Sequence, residues 1–346
     1  MRFWVFLLVA GCAVDAPSKE QLGKQLFNDR SLSTPVGQSC ADCHDPTQAF
    51  RDPESDRTTS MGAVDGRFGN RNAPTAMYSA AIPPLHYDGR WVGGLFWDGR
   101  ASSLEEQAAG PLMNPREMNN PDHATVVAKV RRSPYAAQFR EVYGSRALDD
   151  TETAFAHITD ALASYERGPD LSPFSSRYDK FMAGTGTLSA QELRGYRLFN
   201  ASCASCHPAP LFTSFEYVNV GVPRYENNMF LRDNPSFIDH GLSTTVNQPT
   251  EDGKFRVPSL RNVARTAPYG HNGYFENLPF MLEFLNTRDV GSMQVATCSR
   301  AANSQARCQW PAPEIPATID HRVGDLGMSK DDLADLAAFL EALSDE

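Results

Sequence analysis

The pattern of polar and apolar positions in this 346-residue chain predicts a mostly helical protein. In four segments, a polar residue that can cap a helix precedes apolar residues spaced three or four apart, which places them on one helix face. These predicted helices begin at Ser18, Thr151, Ser189 and Ser329. No stretch alternates polar and apolar residues for long enough to predict a sheet, so long loops rich in proline and glycine connect the helices.

A short internal repeat divides the chain into two parts. Residues 22–28 and 194–200 carry Gly, Leu, Phe and Asn at matching offsets, and each segment precedes a pair of cysteines. Duplication of one domain is the simplest account of this repeat. The most suitable boundary is Gly168-Pro169, where a predicted helix ends, so we expect domains at 13–168 and 169–346.

The N-terminus has the pattern of a secretory signal. Arg2 precedes an apolar run, residues 3–10, that is too short to cross a bilayer as a helix. We therefore interpret residues 1–11 as a signal peptide. Gly11-Cys12 lies where a bacterial lipoprotein cleavage box requires it, which predicts Cys12 as the lipidated first residue. The alternative is a plain signal peptide, with Cys12 lost or free.

Charge and cysteine content narrow the partners and the compartment. The formal net charge of −10 argues against nucleic acid and favours a basic protein or a neutral small molecule, although a merely solvated acidic surface fits as well. Of the seven cysteines, four form two close pairs. Cys298 and Cys308 remain besides Cys12, and in a secreted protein we expect them to form a disulfide rather than two free thiols.

Two Cys-x-x-Cys-His motifs carry the chemistry. Residues 40–44 contain Cys40, Cys43 and His44, and residues 203–207 contain Cys203, Cys206 and His207. Two thiols at this spacing can add to the two vinyl groups of a haem, and the adjacent histidine can bind its iron. Zinc is the main alternative, but it does not require a histidine directly after both pairs. Thioredoxin-like chemistry would require one motif rather than two. The motifs therefore predict two covalent c-type haems.

The segment between the motifs extends this interpretation. Here the chain resembles the bacterial di-haem cytochrome c peroxidase and MauG superfamily. The resemblance covers nearly the whole mature chain and is carried by residues 22–27, 71–75, 96–118, 255–263 and 267–273, together with both haem motifs. It implies a mostly α fold of two cytochrome-c-like domains with long loops, the N-terminal haem reacting with peroxide and the C-terminal haem transferring electrons.

The resemblance also implies roles for single residues. Trp97 matches a tryptophan between the haems that relays electrons. Glu117 and Gln107 match the polar pair at the peroxide site, where Glu117 acts as acid–base catalyst and Gln107 holds the peroxide. Pro111 matches a residue of the pocket wall. From spacing alone, Glu117 and Gln107 would instead be solvated helix-surface residues.

Two further features concern metal ligands. Asn72, Arg256 and Pro258 match a calcium site between the haems, to which Asn72 would give its side-chain oxygen and the other two their carbonyls. Fourteen residues after His271, where the family has Met or Tyr as an iron ligand, this chain has Leu285, which cannot bind iron. Met281, one helical turn earlier, is the candidate substitute, although the position favours an ordinary core methionine, which would leave the second haem five-coordinate or with another ligand.

These observations predict a periplasmic, lipid-anchored di-haem peroxidase that reduces hydrogen peroxide with electrons from a small redox protein, either a cytochrome c or a cupredoxin. A MauG-type oxidase that modifies residues of a partner protein is the alternative within the enzymes. A pure di-haem electron carrier is the alternative outside them, and Glu117 and Gln107 argue against it. A homodimer is compatible with the sequence.

Overall fold

A computed structural model describes residues 16–54, 58–290 and 309–346, and helices predominate in these ranges, as predicted. The lipid-anchor and disulfide predictions, on Cys12, Cys298 and Cys308, concern residues outside them. The α-helices of the described residues are α1 (Lys19–Phe27), α2 (Cys40–Cys43), α3 (Leu104–Met113), α4 (His123–Arg131), α5 (Ala136–Tyr143), α6 (Thr151–Glu166), α7 (Arg177–Met182), α8 (Ala190–Ser202), α9 (Met229–Asp233), α10 (Leu242–Val246), α11 (Leu278–Thr287) and α12 (Lys330–Glu341). Short 3₁₀ helices span Arg30–Leu32, Pro46–Gln48, Ser79–Ala81, Pro249–Glu251 and Val263–Arg265.

Strands are short and local. In the described residues, β1 (His86–Tyr87) pairs antiparallel with β2 (Trp91–Val92), and β3 (Tyr217–Val218) pairs antiparallel with β4 (Phe255–Arg256). Each strand contains only two residues, which agrees with the absence of a long alternating pattern in the sequence.

Most of the predicted helix starts are confirmed by their capping bonds. Ser18, Ser189 and Ser329 each accept a backbone hydrogen bond from the residue three positions later and form a capping box. The remaining helix, α6, begins at Thr151 as predicted, and the residue before it, Asp150, caps it by accepting a bond from the Thr153 amide. A carboxylate is the stronger cap here, since it also complements the positive end of the helix dipole.

The repeated glycines allow two helix pairs to pack closely. A Cβ on Gly23 of α1 would lie 1.9 Å from the carbonyl oxygen of Ala161 in α6. A Cβ on Gly195 of α8 would lie 1.9 Å from the carbonyl oxygen of Asp335 in α12. The sequence repeat therefore corresponds to two equivalent helix crossings in which backbones touch.

Two large hydrophobic clusters surround these crossings. One is formed by side chains from Leu22 to Leu171 and includes α1, α4 and α6. The other is formed by side chains from Tyr178 to Leu343 and includes α8 and α12. Among the described residues, no helix combines the length and apolar content needed to cross a bilayer.

Candidate active site

The first Cys-x-x-Cys-His motif opens into a cavity of about 200 Å³ in the N-terminal part of the chain. Cys40 and Cys43 are the first and last residues of α2, so both thiols lie on one helical turn, and both line the cavity. His44 follows directly and donates its backbone N–H to the Cys40 carbonyl at 2.9 Å. His44 also lines the cavity, so the three predicted haem-binding residues share one cavity wall.

The second motif has the same construction in the C-terminal part. Cys203 is the C-cap residue of α8, and the His207 amide donates to the Cys203 carbonyl at 2.9 Å. Cys203, Cys206 and His207 line a cavity of about 250 Å³ whose walls are mainly apolar.

Both histidines are oriented for binding a metal through Nε2. The Nδ1 atom of His44 lies 3.1 Å from the Phe50 carbonyl oxygen, and that of His207 lies 2.9 Å from the Phe212 carbonyl oxygen. A carbonyl only accepts, so Nδ1 carries the proton and Nε2 keeps its lone pair. Burial lowers the pKa of His44, and it lowers the pKa of His207 to about 4, so both rings are neutral. Neutral, carbonyl-anchored imidazoles beside paired thiols fit the proximal side of a haem.

The zinc alternative does not fit this geometry. The two cysteine pairs line separate cavities. In the described part of the chain, no three side chains of the types His, Cys, Asp and Glu converge on one point as a structural zinc site requires.

The predicted peroxide-site residues line the N-terminal cavity. Gln107 and Pro111 lie one turn apart on α3, and Glu117 lies in the turn after that helix. The helix ends soon after Pro111, which has no N–H to donate to the Gln107 carbonyl. The structure thus places all three side chains in the cavity of the first haem motif.

Glu117 has the environment of a proton-transfer group. Its Oε1 accepts a hydrogen bond of 2.8 Å from the Asn114 side chain. Burial raises the pKa of the Glu117 carboxyl, and the positive charge of Arg100 and the Asn114 bond only partly oppose this rise. A carboxyl whose pKa is raised towards neutrality can both donate and accept a proton.

Trp97 lies in the wall between the two cavities and lines both of them. Its indole Nε1 donates to the Asn72 carbonyl at 2.8 Å, and its own carbonyl accepts from the Arg256 amide at 2.9 Å. One hydrogen bond therefore holds the ring and the other holds the backbone of Trp97, between the two cavities.

The three predicted calcium residues also meet near this wall. Asn72 and Arg256 line both cavities, and Pro258 lines the C-terminal one. The Asn72 side chain donates through Nδ2 to the Thr58 carbonyl at 3.2 Å, which leaves its oxygen free to bind a cation. The donor set of one amide oxygen and two carbonyls suits calcium.

At the C-terminal cavity, Met281 and Leu285 both lie on α11 and both line the wall. Sequence reasoning gave no role to His271, which lines the same cavity and stacks on Phe255 with 3.7 Å between ring centroids. Its Nε2 has no hydrogen-bond partner among the described residues, and the Glu314 carboxylate lies 3.9 Å away.

Sequence reasoning also missed Glu166, a buried carboxyl that lines the N-terminal cavity. Its signal was present in the spacing. Ile158, Leu162 and Glu166 lie four residues apart, so the acid extends the apolar face of α6.

Each of the two cavities is lined by a Cys-x-x-Cys-His motif, and Trp97 lies in the wall between them. This arrangement defines the class of the protein as a two-haem redox protein. Residues 17–187 match the family described as di-haem cytochrome c peroxidase. The chain is 38% identical over 344 residues to the methylamine utilization protein MauG of Paracoccus denitrificans, which covers 94% of this chain and 88% of that protein. It is 34% identical over 256 residues to the cytochrome c551 peroxidase of Nitrosomonas europaea, covering 73% of this chain and 68% of that protein.

Solved structures of di-haem peroxidases and MauG-like proteins are also similar to this chain. A variant of the di-haem peroxidase BthA from Burkholderia thailandensis superposes with a TM-score of 0.82 and 33% identity, over 94% of this chain and 86% of that one. A MauG-like protein associated with microbial copper homeostasis gives a TM-score of 0.73 and 28% identity, over 96% and 92% of the two chains. The chain belongs to the di-haem cytochrome c peroxidase family, which makes it a haem oxidoreductase.

Proposed function

We propose that this protein reduces hydrogen peroxide to water with electrons taken from a small redox protein, either a cytochrome c or a cupredoxin. The observation that carries the proposal is the presence of Glu117, Gln107 and Pro111 in the cavity of the first haem motif. A pure electron carrier has no use for an acid–base group of raised pKa in the cavity of a haem motif.

Cys40 and Cys43 would hold the N-terminal haem by thioether bonds, with His44 as the iron ligand. Cys203, Cys206 and His207 would do the same for the C-terminal haem. When bound, the haems supply iron centres that exchange single electrons and, at the N-terminal site, coordinate peroxide. The carbonyl-anchored histidines support this assignment.

Glu117 moves the proton on which the chemistry depends. Reduction of one peroxide to two waters consumes two electrons and two protons, and it requires the leaving oxygen to be protonated. Glu117 takes a proton from one peroxide oxygen and delivers it to the other, which leaves as the first water when the O–O bond breaks. The two electrons and two protons then convert the remaining oxygen into the second water. Gln107 orients the peroxide by hydrogen bonds, and Pro111 limits the space around it.

Trp97 carries electrons from the C-terminal site to the N-terminal site. Its place in both cavity walls and its hydrogen bond to Asn72 support this role. Calcium bound by Asn72, Arg256 and Pro258 would stiffen the same wall. The domains at 13–168 and 169–346 would each hold one haem.

A MauG-type reaction remains the second candidate, and the identity to MauG of Paracoccus denitrificans favours it. In that chemistry the oxidised haems withdraw electrons from a residue of a partner protein. The same peroxide pocket serves both reactions, so the two differ in the electron source rather than in Glu117 or Gln107.

The proposal also includes export to the periplasm, with residues 1–11 as the signal peptide. It further includes a lipid on Cys12 and a disulfide between Cys298 and Cys308. Covalent haem attachment requires a compartment outside the cytoplasm, which supports export. Thiols that remain in such a compartment pair by oxidation.

The experiment that tests the function is rapid mixing of the holoprotein with hydrogen peroxide, followed by haem absorbance. Glu117→Gln should slow the reaction by about 10²–10⁴-fold, because a positioned acid–base group contributes that much. It should retain both haems, since Glu117 binds neither iron. Glu106→Gln, an exposed acid on α3, is the matched control and should react as fast as wild type. If Glu117→Gln also matches wild type, the pocket is not the peroxide site and the electron-carrier hypothesis moves ahead.

A further inference from the structure

Glu166 is an acidic residue in largely apolar surroundings. It is the last residue of α6, its surface is 8% exposed, and it lines the N-terminal cavity together with Cys40, Ala108 and Leu162. The proposed peroxide chemistry assigns it no task.

Glu166 differs from the other buried acidic residues because no arginine pairs with it in the described residues. In the described residues six aspartates and glutamates are buried, and the other five each pair with an arginine. These pairs are Asp98 and Asp239 with Arg71, Glu192 with Arg177, Glu216 with Arg90, and Asp335 with Arg194. No donor of the described residues hydrogen-bonds the Glu166 carboxyl.

The nearest charged groups do not replace such a partner. Arg167 follows in the chain, but its guanidinium binds Glu105 on α3 at 2.7 Å and is partly exposed. Burial raises the pKa of Glu166 to about 8, which Glu105 reinforces and Arg167 opposes. From α2 the Cys40 side chain also approaches, and it would carry no charge once in a thioether. The carboxyl can therefore change its protonation state close to neutral pH.

A haem in this cavity would provide the missing counter-charge. The ferric porphyrin core carries one net positive charge and the ferrous core carries none. In a cavity of low dielectric constant, that difference acts strongly on a neighbouring carboxyl, because little solvent screens it. An ionised Glu166 thus has a partner in the oxidised state and loses it on reduction.

We propose that Glu166 is the redox-linked proton acceptor of the N-terminal haem. On one-electron reduction of the site by the donor protein, which is thereby oxidised, the Glu166 carboxylate would take up one proton from solvent. When the electron leaves, the carboxyl releases the proton. A proton is thus held beside the cavity in which peroxide reduction consumes protons. This rests on the proposed occupation of the cavity by haem, but not on the peroxidase activity.

The test is a potentiometric titration of the two-haem holoprotein at several pH values between about 6 and 10, around the range where the group ionises. In wild type, one of the two redox waves should fall with rising pH, with a slope approaching about 59 mV per tenfold change in proton concentration, the value for one proton and one electron. The other wave is an internal control, because Glu166 does not line the C-terminal cavity.

Glu166→Gln should abolish this slope. Its wave should coincide with that of wild type at acid pH, where both side chains are neutral, and lie above it at alkaline pH, where only wild type carries the negative charge. Glu152→Gln, an exposed acid on the same helix, is the matched control and should overlay wild type.

Three results would overturn the proposal: a wild-type wave without slope, a Glu166→Gln wave that keeps the slope, or an offset that is constant at all pH values. If Glu166→Gln does not retain both haems, Glu166→Asp is titrated instead. The proposal is then overturned if the potential of this variant falls over the same pH range as that of wild type. No peroxide enters the titration, so failure of the peroxidase function alone would leave these outcomes unchanged.

Discussion

The indole Nε1 of Trp97 donates a hydrogen bond of 2.8 Å to the carbonyl oxygen of Asn72. Both residues lie in the wall shared by the two cavities, so this bond fixes an aromatic ring between the two haem motifs. The bond also links the proposed electron relay to a residue of the proposed calcium site. A substitution at either residue should therefore alter the position of the other.

Trp97→Phe tests the relay. Phenylalanine keeps a ring in the wall but loses the larger indole and its bond to Asn72. We expect peroxide to be consumed at the wild-type rate in a single turnover, while electron transfer from the C-terminal haem slows. Stopped-flow absorbance with pre-reduced protein would separate the two steps. Trp91→Phe, which also removes an indole that donates a hydrogen bond, is the control on the β1–β2 hairpin. Unchanged electron transfer in Trp97→Phe would exclude the relay.

Covalent attachment is tested at the second motif. Cys203→Ala combined with Cys206→Ala should reduce the haem content from two to one per chain, because the thioether bonds of one haem are lost. Pyridine haemochrome assay of the denatured protein, after extraction with acid acetone, measures covalently bound haem directly. Haem that is fully extractable from the wild type would contradict the assignment of both motifs.

The helices and the haem motifs could be predicted from sequence because their signals are local. A capping residue, a stripe of apolar positions and a Cys-x-x-Cys-His spacing each lie within a few helical turns, as at Ser189 and Cys203. The predicted start of α6 at Thr151 is also confirmed, and the sequence analysis did not name its capping residue, Asp150.

The remaining site residues depend on contacts between distant segments. The position of Trp97 between the cavities is set by Asn72 and Arg256, and no spacing in the sequence contains that relation. The resemblance to the family supplied Gln107 and Glu117. Glu166 carries a local signal, since it stands on an apolar stripe, but whether it has a partner depends on which cavity the stripe faces.

Calcium is tested by chelation. Exhaustive removal of divalent cations should change the haem spectra and lower turnover, because the wall that holds Trp97 loses a cation bound by three oxygen atoms. Added calcium should restore both. Asn72→Ala should resemble the chelated protein and should not respond to calcium, whereas Asn200→Ala, at an exposed asparagine of α8, should behave as wild type. If chelation changes neither spectra nor turnover, no functional calcium is bound.

The glycine crossings give a stability prediction. Gly195→Ala would place a methyl group 1.9 Å from the Asp335 carbonyl oxygen, so α8 and α12 must move apart. Overpacking of this kind costs about 1–3 kcal/mol of the free energy of unfolding. Chemical denaturation, monitored by circular dichroism, measures this loss of free energy of unfolding. Gly69→Ala is the control, since its added carbon has no neighbour nearer than 3.7 Å. Equal stability of both variants would mean that the crossing is not tight.

The last prediction concerns the iron ligand at the C-terminal haem. Met281 lies one turn before Leu285 on α11, and both line the cavity of His207. A thioether is a suitable ligand for haem iron, and leucine has no donor atom. If Met281 binds the iron, the reduced wild type should take up one carbon monoxide per chain, at the N-terminal haem. Met281→Leu should take up two, while Met182→Leu, at a methionine that is 59% exposed, should take up one. Two sites in the wild type would mean an open C-terminal iron, which would weaken the assignment of peroxide chemistry to the N-terminal haem alone. One site in Met281→Leu would mean a different ligand. His271 would be the next residue to replace, because it lines the same cavity and its buried Nε2 has no hydrogen-bond partner in the part of the chain that the structure describes.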